Sequence, residues 1–228
     1  MHQVEIRPEI IARVMQRRKR LHLFDRFDPV RTALVTIDMQ NTFVAPGAPA
    51  EVPAARGIVA NINRLAEALR QRRGHVIWVI HANQRVGNGS DWPGFFENFV
   101  ADDVRTQTID SLVSDGEGQR LWHELDVKPG DIHVIKNRYS ALIPGASPLE
   151  RILRGIGVRT LLIAGTKTNV CCESTARDAM MLDFEVVMVS DCLAALSDEE
   201  HRATLETVIQ QFGDVLSTDE TIARLGMR

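Results

Sequence analysis

The stretch LLIAGTKTNVCCESTARDA, residues 161–179, decides how the rest of this 228-residue chain is read. It opens as an apolar run, passes Gly165, and sets two cysteines where a helix is expected to begin. Apolar run, polar turn, helix start is the pattern by which an α/β protein brings a reactive side chain to the carboxyl edge of a parallel sheet. The N–H groups of a first helical turn have no partner inside the helix, and the macrodipole makes that end partly positive. A thiol there is expected to ionise more easily, and the free N–H groups to hold a developing oxyanion. Cys171 is therefore the candidate nucleophile. Cys172 lies about 100° further round the helix and reads as packing.

Working outward, the same alternation recurs along the chain. Ala33–Ile37 reads as a buried strand with Asp38 at its end, and Ile58–Arg73 as a helix stopped by Gly74. Val76–Ile80 is a second strand ending at His81, and Ile132–Ile135 a short one followed by Lys136. A helix near Pro148–Gly155, the strand Thr160–Ala164, the strand Val186–Ser190, the helix Asp198–Gln211, a strand at Val215-Leu216 and a closing helix complete the series. Strands alternating with helices imply a parallel sheet with right-handed crossovers, covered on both faces. Residues 31–228 read as one domain. Residues 1–30 form a helical appendage whose basic helix, residues 9–23, either contacts a neighbouring subunit or covers the sheet. Residues 82–118 are the least regular part, and their clustered aromatics Trp92, Phe95, Phe96 and Phe99 suit a lid as well as an ordinary anchored loop.

Composition excludes several functions. A net charge of −3 gives no electrostatic case for nucleic acid or an anionic membrane. Three cysteines, two adjacent, make neither a disulfide framework nor a zinc quartet, and fit a reducing cytoplasm. No apolar run reaches the length of a membrane span, and no signal segment opens the chain.

Asp38, Lys136 and Cys171 each follow a different strand, and parallel strands deliver such residues to one edge. Together they have a mechanical logic: a carboxylate takes the thiol proton, an ammonium favours the thiolate, and sulfur attacks a carbonyl. Gln40, Asn41, Phe43 and Tyr139 flank the trio and are candidate pocket walls. Arg85 is the expected fork for a substrate carboxylate, with Arg138 the alternative.

ALVTIDMQNTF, KNRYSA and GTKTNVCCESTARDA resemble the three signature blocks of the isochorismatase-like cysteine hydrolases, in the same order and over residues 30–220. The resemblance implies a three-layer α/β/α sandwich with a six-stranded, mainly parallel sheet, and places the catalytic residues on Asp38, Lys136 and Cys171. It also implies a cis peptide at Lys167–Thr168, with the N–H groups of Thr168 and Cys171 as the oxyanion hole. Within the family, the nucleophilic Cys favours an amidohydrolase of the N-carbamoylsarcosine or ureidoacrylate type, acting on a small amide or ureido substrate without a cofactor. The segment His81-Ala82-Asn83-Gln84 lacks the metal-binding pattern of nicotinamidases, so no metal is expected, and His81 reads as a packing or hydrogen-bonding group. An ether hydrolase of the isochorismatase type and a non-catalytic binding or redox protein are the rival readings. Family habit implies a cytoplasmic homodimer or homotetramer.

Overall fold

A computed structural model of the chain describes residues 2–113 and 116–226. Six strands form one sheet: β1 (Thr32–Ile37), β2 (His75–His81), β5 (Ile132–Lys136), β6 (Thr160–Thr166), β7 (Glu185–Ala194) and β8 (Asp214–Leu216). Their order is β5-β2-β1-β6-β7-β8 and every pairing in this sheet is parallel. A two-residue hairpin, β3 (Arg85–Val86) with β4 (Gly89–Ser90), stands apart from it. The sheet order reverses beside β1, so the β1 and β6 ends frame a crevice, the place where such sheets bind ligands.

Both sheet faces are buried, which is why the strands read as unbroken apolar runs. Ala33, Val35 and Ile37 pack on one side with Leu161 and Ile163, while Leu34, Trp78 and Leu162 pack on the other. The first side is covered by α1 (Pro8–Arg18), α6 (Leu149–Gly155), α7 (Glu173–Met181) and α8 (Asp198–Gln211). The second is covered by α3 (Val59–Gln71) and α9 (Thr218–Arg224), with α2 (Asn41–Val44) at the β1 end. Each fully buried aliphatic side chain contributes about 1.5–3 kcal/mol relative to exposure, so the interleaved β1 residues tie the two layers together.

The basic N-terminal helix packs on its own chain. Ile10 and Val14 enter the core, and the Arg7 guanidinium grips Glu206 of α8, with Nε 2.9 Å from Oε1. Residues 82–118 are more ordered than their composition suggests, holding the hairpin, α4 (Pro93–Asn98) and α5 (Asp102–Leu112). Phe96, Ile109 and Leu112 form a small core of their own there, which is what the clustered apolar residues buy. Residues 114 and 115 of that stretch lie outside the described residues. The stop of α3 also differs from expectation: Arg73, at φ 62°, is the left-handed residue, and the Gly74 N–H closes the turn on Leu69 O at 2.8 Å. Gly74 is needed for space, since a Cβ would lie 2.9 Å from Pro29 O.

Candidate active site

Three parallel strands end together and deliver Asp38, Lys136 and Cys171 to one buried point. Asp38 follows β1 at φ 55°, a left-handed conformation that Asp tolerates better than most residues, and its N–H bonds Val79 O at 2.9 Å. Lys136 is the last residue of β5, and it pairs in register with His81, the last residue of β2. Gly165, at φ 109°, lets β6 close on β1: a Cβ would sit 2.0 Å from Ile37 O. The chain then passes a cis peptide at Thr166–Lys167 and enters a π-turn, Thr168–Cys172, that runs into α7. Such i→i+5 turns are frequent at functional sites.

Lys136 Nζ lies 2.9 Å from Asp38 Oδ2, with both side chains closed to solvent. The same ammonium is 3.0 Å from Arg138 O and 3.1 Å from His81 Nδ1. The Cys171 thiol lies beside both Asp38 and Lys136, and each acts on its titration. Burial raises the Asp38 carboxyl above its ordinary value, and the Lys136 charge offsets this only in part. Burial would lower Lys136, but Asp38 and then Cys171 outweigh it and hold the ammonium charged.

Cys171 departs from expectation. Burial, followed by the charge of Asp38, pushes its thiol up to about 12, against the favourable pull of Lys136. Cys171 therefore rests as a thiol, and an end-of-helix effect does not make it anionic. A turn sealed from water loses the solvation that an isolated helix start gives a thiolate. Cys172 and Cys192 are buried and raised further, each by desolvation first.

Asp38, Cys171 and His81 line a cavity of about 110 Å³, while Lys136, paired with Asp38, is not among its lining residues. Phe43, Phe95 and Tyr139 supply aromatic walls, Thr108 and Leu112 of α5 close one side, and Lys167 and Val170 line another. Thus the segment 82–118 contributes walls to the site. In the sequence Phe95 reads only as a clustered aromatic, and Thr108 and Leu112 carry no local signal. Trp92 braces this wall from behind, its ring 4.7 Å from Tyr139 and 4.9 Å from Phe95.

Several expected contacts fall elsewhere. The cis peptide is one residue earlier than the resemblance implied, so Lys167 is the residue it presents to the cavity. Thr168 is fully buried with its hydroxyl 2.9 Å from His201 Nδ1. Backbone isomer carries no signature in the local sequence, which is why the position was misread. Gln40 is buried structural glue: its amide accepts from His81 N at 2.7 Å and donates to His81 O at 2.9 Å. Asn41 donates to Glu117 O at 2.9 Å. Arg85 sits on the exposed hairpin paired with Asp110, and Arg138 is spent on Asn137 O and Asp91 O. Both arginines found nearer carboxylates or carbonyls, so neither faces the cavity.

A model of the isochorismatase domain matches residues 32–220. The chain belongs to the isochorismatase family. This is a family of hydrolases. A probable inactive nicotinamidase of Arabidopsis thaliana is 33% identical over 176 residues, covering 76% of this chain and 86% of that protein. The crystal structure of a cysteine hydrolase from Pseudomonas syringae is 29% identical with a TM-score of 0.78, covering 91% of this chain and 97% of that one. The fold of N-carbamoylsarcosine amidase from Thermoplasma acidophilum is also shared, at a TM-score of 0.65 and 23% identity, over 83% of this chain and 97% of that one. Among the described residues, no cluster of three His, Cys, Asp or Glu side chains could hold a metal ion, and no helix is long and apolar enough to cross a membrane.

Proposed function

We propose that this isochorismatase-family protein is a cysteine amidohydrolase that splits the C–N bond of a small amide or ureido compound and releases ammonia. The observation that carries this reading is the Cys171 thiol on a small cavity, beside Asp38 and its buried partner Lys136. An ether hydrolysis or a pure binding role has no need of a nucleophile with its own base.

Because the thiol is protonated at rest, attack and proton transfer are coupled. Cys171 Sγ bonds to the substrate carbonyl carbon as its proton passes to Asp38. Negative charge grows on the carbonyl oxygen, and the N–H groups of Lys167 and Cys171, both lining the cavity, are the donors assigned to it. Asp38 returns the proton to the departing nitrogen, the C–N bond breaks, and ammonia leaves a thioester. Water then gives a proton to Asp38 and attacks the thioester carbon. The C–S bond breaks, sulfur takes that proton back, and the acid product departs. Lys136 stays charged throughout and stabilises the anionic partner of the moment.

The cavity volume restricts the substrate to a small molecule, and Phe43, Phe95 and Tyr139 favour a planar or apolar body. An ammonia-release screen over carbamoyl amino acids, ureido acids and primary amides tests the reading, with Cys171→Ala beside the native protein. Loss of turnover in the variant supports it. Turnover that survives Cys171→Ala sinks it and favours ether chemistry.

A further inference from the structure

His81 is a buried titratable group that the reaction above does not use. It is the cross-strand neighbour of Lys136, so both side chains rise from the same sheet edge on the same face. Lys136 Nζ hydrogen-bonds to Arg138 O at 3.0 Å and His81 Nδ1 at 3.1 Å, and forms an ion pair with Asp38 Oδ2 at 2.9 Å. An ammonium cannot accept, so Nδ1 must be the acceptor and the ring proton must sit on Nε2. There Nε2 donates to Asn83 Oδ1 at 2.7 Å. Asn83 Nδ2 donates in turn to Asp91 Oδ1 at 2.8 Å, which fixes which end of the amide faces the ring. The backbone of His81 is pinned on both sides by the Gln40 amide.

We propose that His81 is a positioning residue: its neutral ring, held in one tautomer by Asn83 and Asp91, fixes the Lys136 ammonium against Asp38 and Cys171. The role rests on the amidohydrolase reading for its purpose but not for its geometry. Two hydrogen bonds and the Asp38 ion pair hold the Lys136 ammonium, so it acts on Cys171 by charge at a fixed place. Asp38, whose oxygens meet no other donor among the described residues, stays free to take the thiol proton. The charged groups facing the ring are Lys136 and Arg138, with Asp38 and Cys171 beyond the ammonium and Asp91 beyond Asn83. Burial, then the Lys136 charge, holds His81 well below an ordinary imidazole, so the acceptor persists through the neutral range.

The test uses alkylation of Cys171 by iodoacetamide as a function of pH, alongside turnover. Alkylation needs no substrate, so failure of the amidohydrolase reading and failure of this one are separable. His81→Leu removes the acceptor and is expected to slow both rates about tenfold. His81→Asn restores an acceptor near Nδ1 and is expected to recover most of the loss. Asn83→Asp, with its carboxylate beside Nε2, favours the charged ring. It is expected to move the acid limb of both profiles to higher pH. Equal loss in His81→Leu and His81→Asn, with an unmoved acid limb in Asn83→Asp, would overturn the proposal. So would native rates and profiles in His81→Leu. Thermal melting of each variant identifies any that fail to fold, and Asn83→Asp then decides alone.

Discussion

The Asp38 carboxylate and the Lys136 ammonium meet at 2.9 Å with neither side chain reaching water. Two charges sealed together cost desolvation that their attraction only balances, so such a pair is weak evidence of stability. In the proposed reaction its value lies in chemistry: burial raises the carboxyl, and the ammonium favours its ionised form.

Removing one partner should expose this. Lys136→Met leaves a buried carboxylate uncompensated and is expected to cost about 3–5 kcal/mol in urea unfolding, and to lower turnover by about 10² or more. Asp38→Asn combined with Lys136→Met should cost less than the two single changes added together. Additive losses in a double-mutant cycle would show that the two side chains do not interact.

The pH profile follows from the signs of the shifts. Asp38 must be ionised to accept the thiol proton, and its value is raised, so kcat/KM should fall as pH drops through a point above the ordinary Asp value of about 3.9. Lys136 is raised, so no loss is expected on the alkaline side below its ordinary value of about 10.4. Iodoacetamide labelling of Cys171, whose thiol is pushed up to about 12, should keep rising from neutral pH to pH ~10. A labelling rate already level at neutral pH would mean a preformed thiolate instead.

Lys167 should set preference among amides. It lines the cavity and has no ion-pair partner among the described residues, while Lys136, outside the lining, is paired with Asp38. Lys167→Met is expected to lower the kcat/KM ratio of a carbamoyl amino acid to its neutral amide analogue about tenfold, since a charge-assisted contact is lost. An unchanged ratio would remove Lys167 from carboxylate recognition.

His201 couples the catalytic turn to pH-dependent stability. It holds the Thr168 hydroxyl at 2.9 Å and stacks on His2 with ring centroids 4.4 Å apart. Burial, with the His2 charge, lowers it to about 4. The unfolded chain then binds a proton that the folded one refuses. Stability is expected to be intact above the ordinary imidazole value of about 6.5, and to decline by up to about 3 kcal/mol as pH falls to 4. Thermal melts between pH 4 and 7 should show this slope in the native protein and a shallower one in His201→Gln.

By itself the sequence determined the layered α/β fold, six strands near their observed bounds, and the convergence of Asp38, Lys136 and Cys171. Those follow from local rules: unbroken apolar runs mark doubly buried strands, and parallel strands share an edge. Phe43 and Tyr139 were legible because they adjoin the trio in the chain. What only the tertiary structure decided depends on neighbours distant in sequence. The α5 wall, the spending of Arg85 on Asp110, the Gln40 clamp on His81 and the cross-strand pairing of His81 with Lys136 are of this kind. So is the protonation of the candidate nucleophile. A helix start can be read from residues 161–179, but the desolvation that keeps Cys171 protonated comes from everything packed around it.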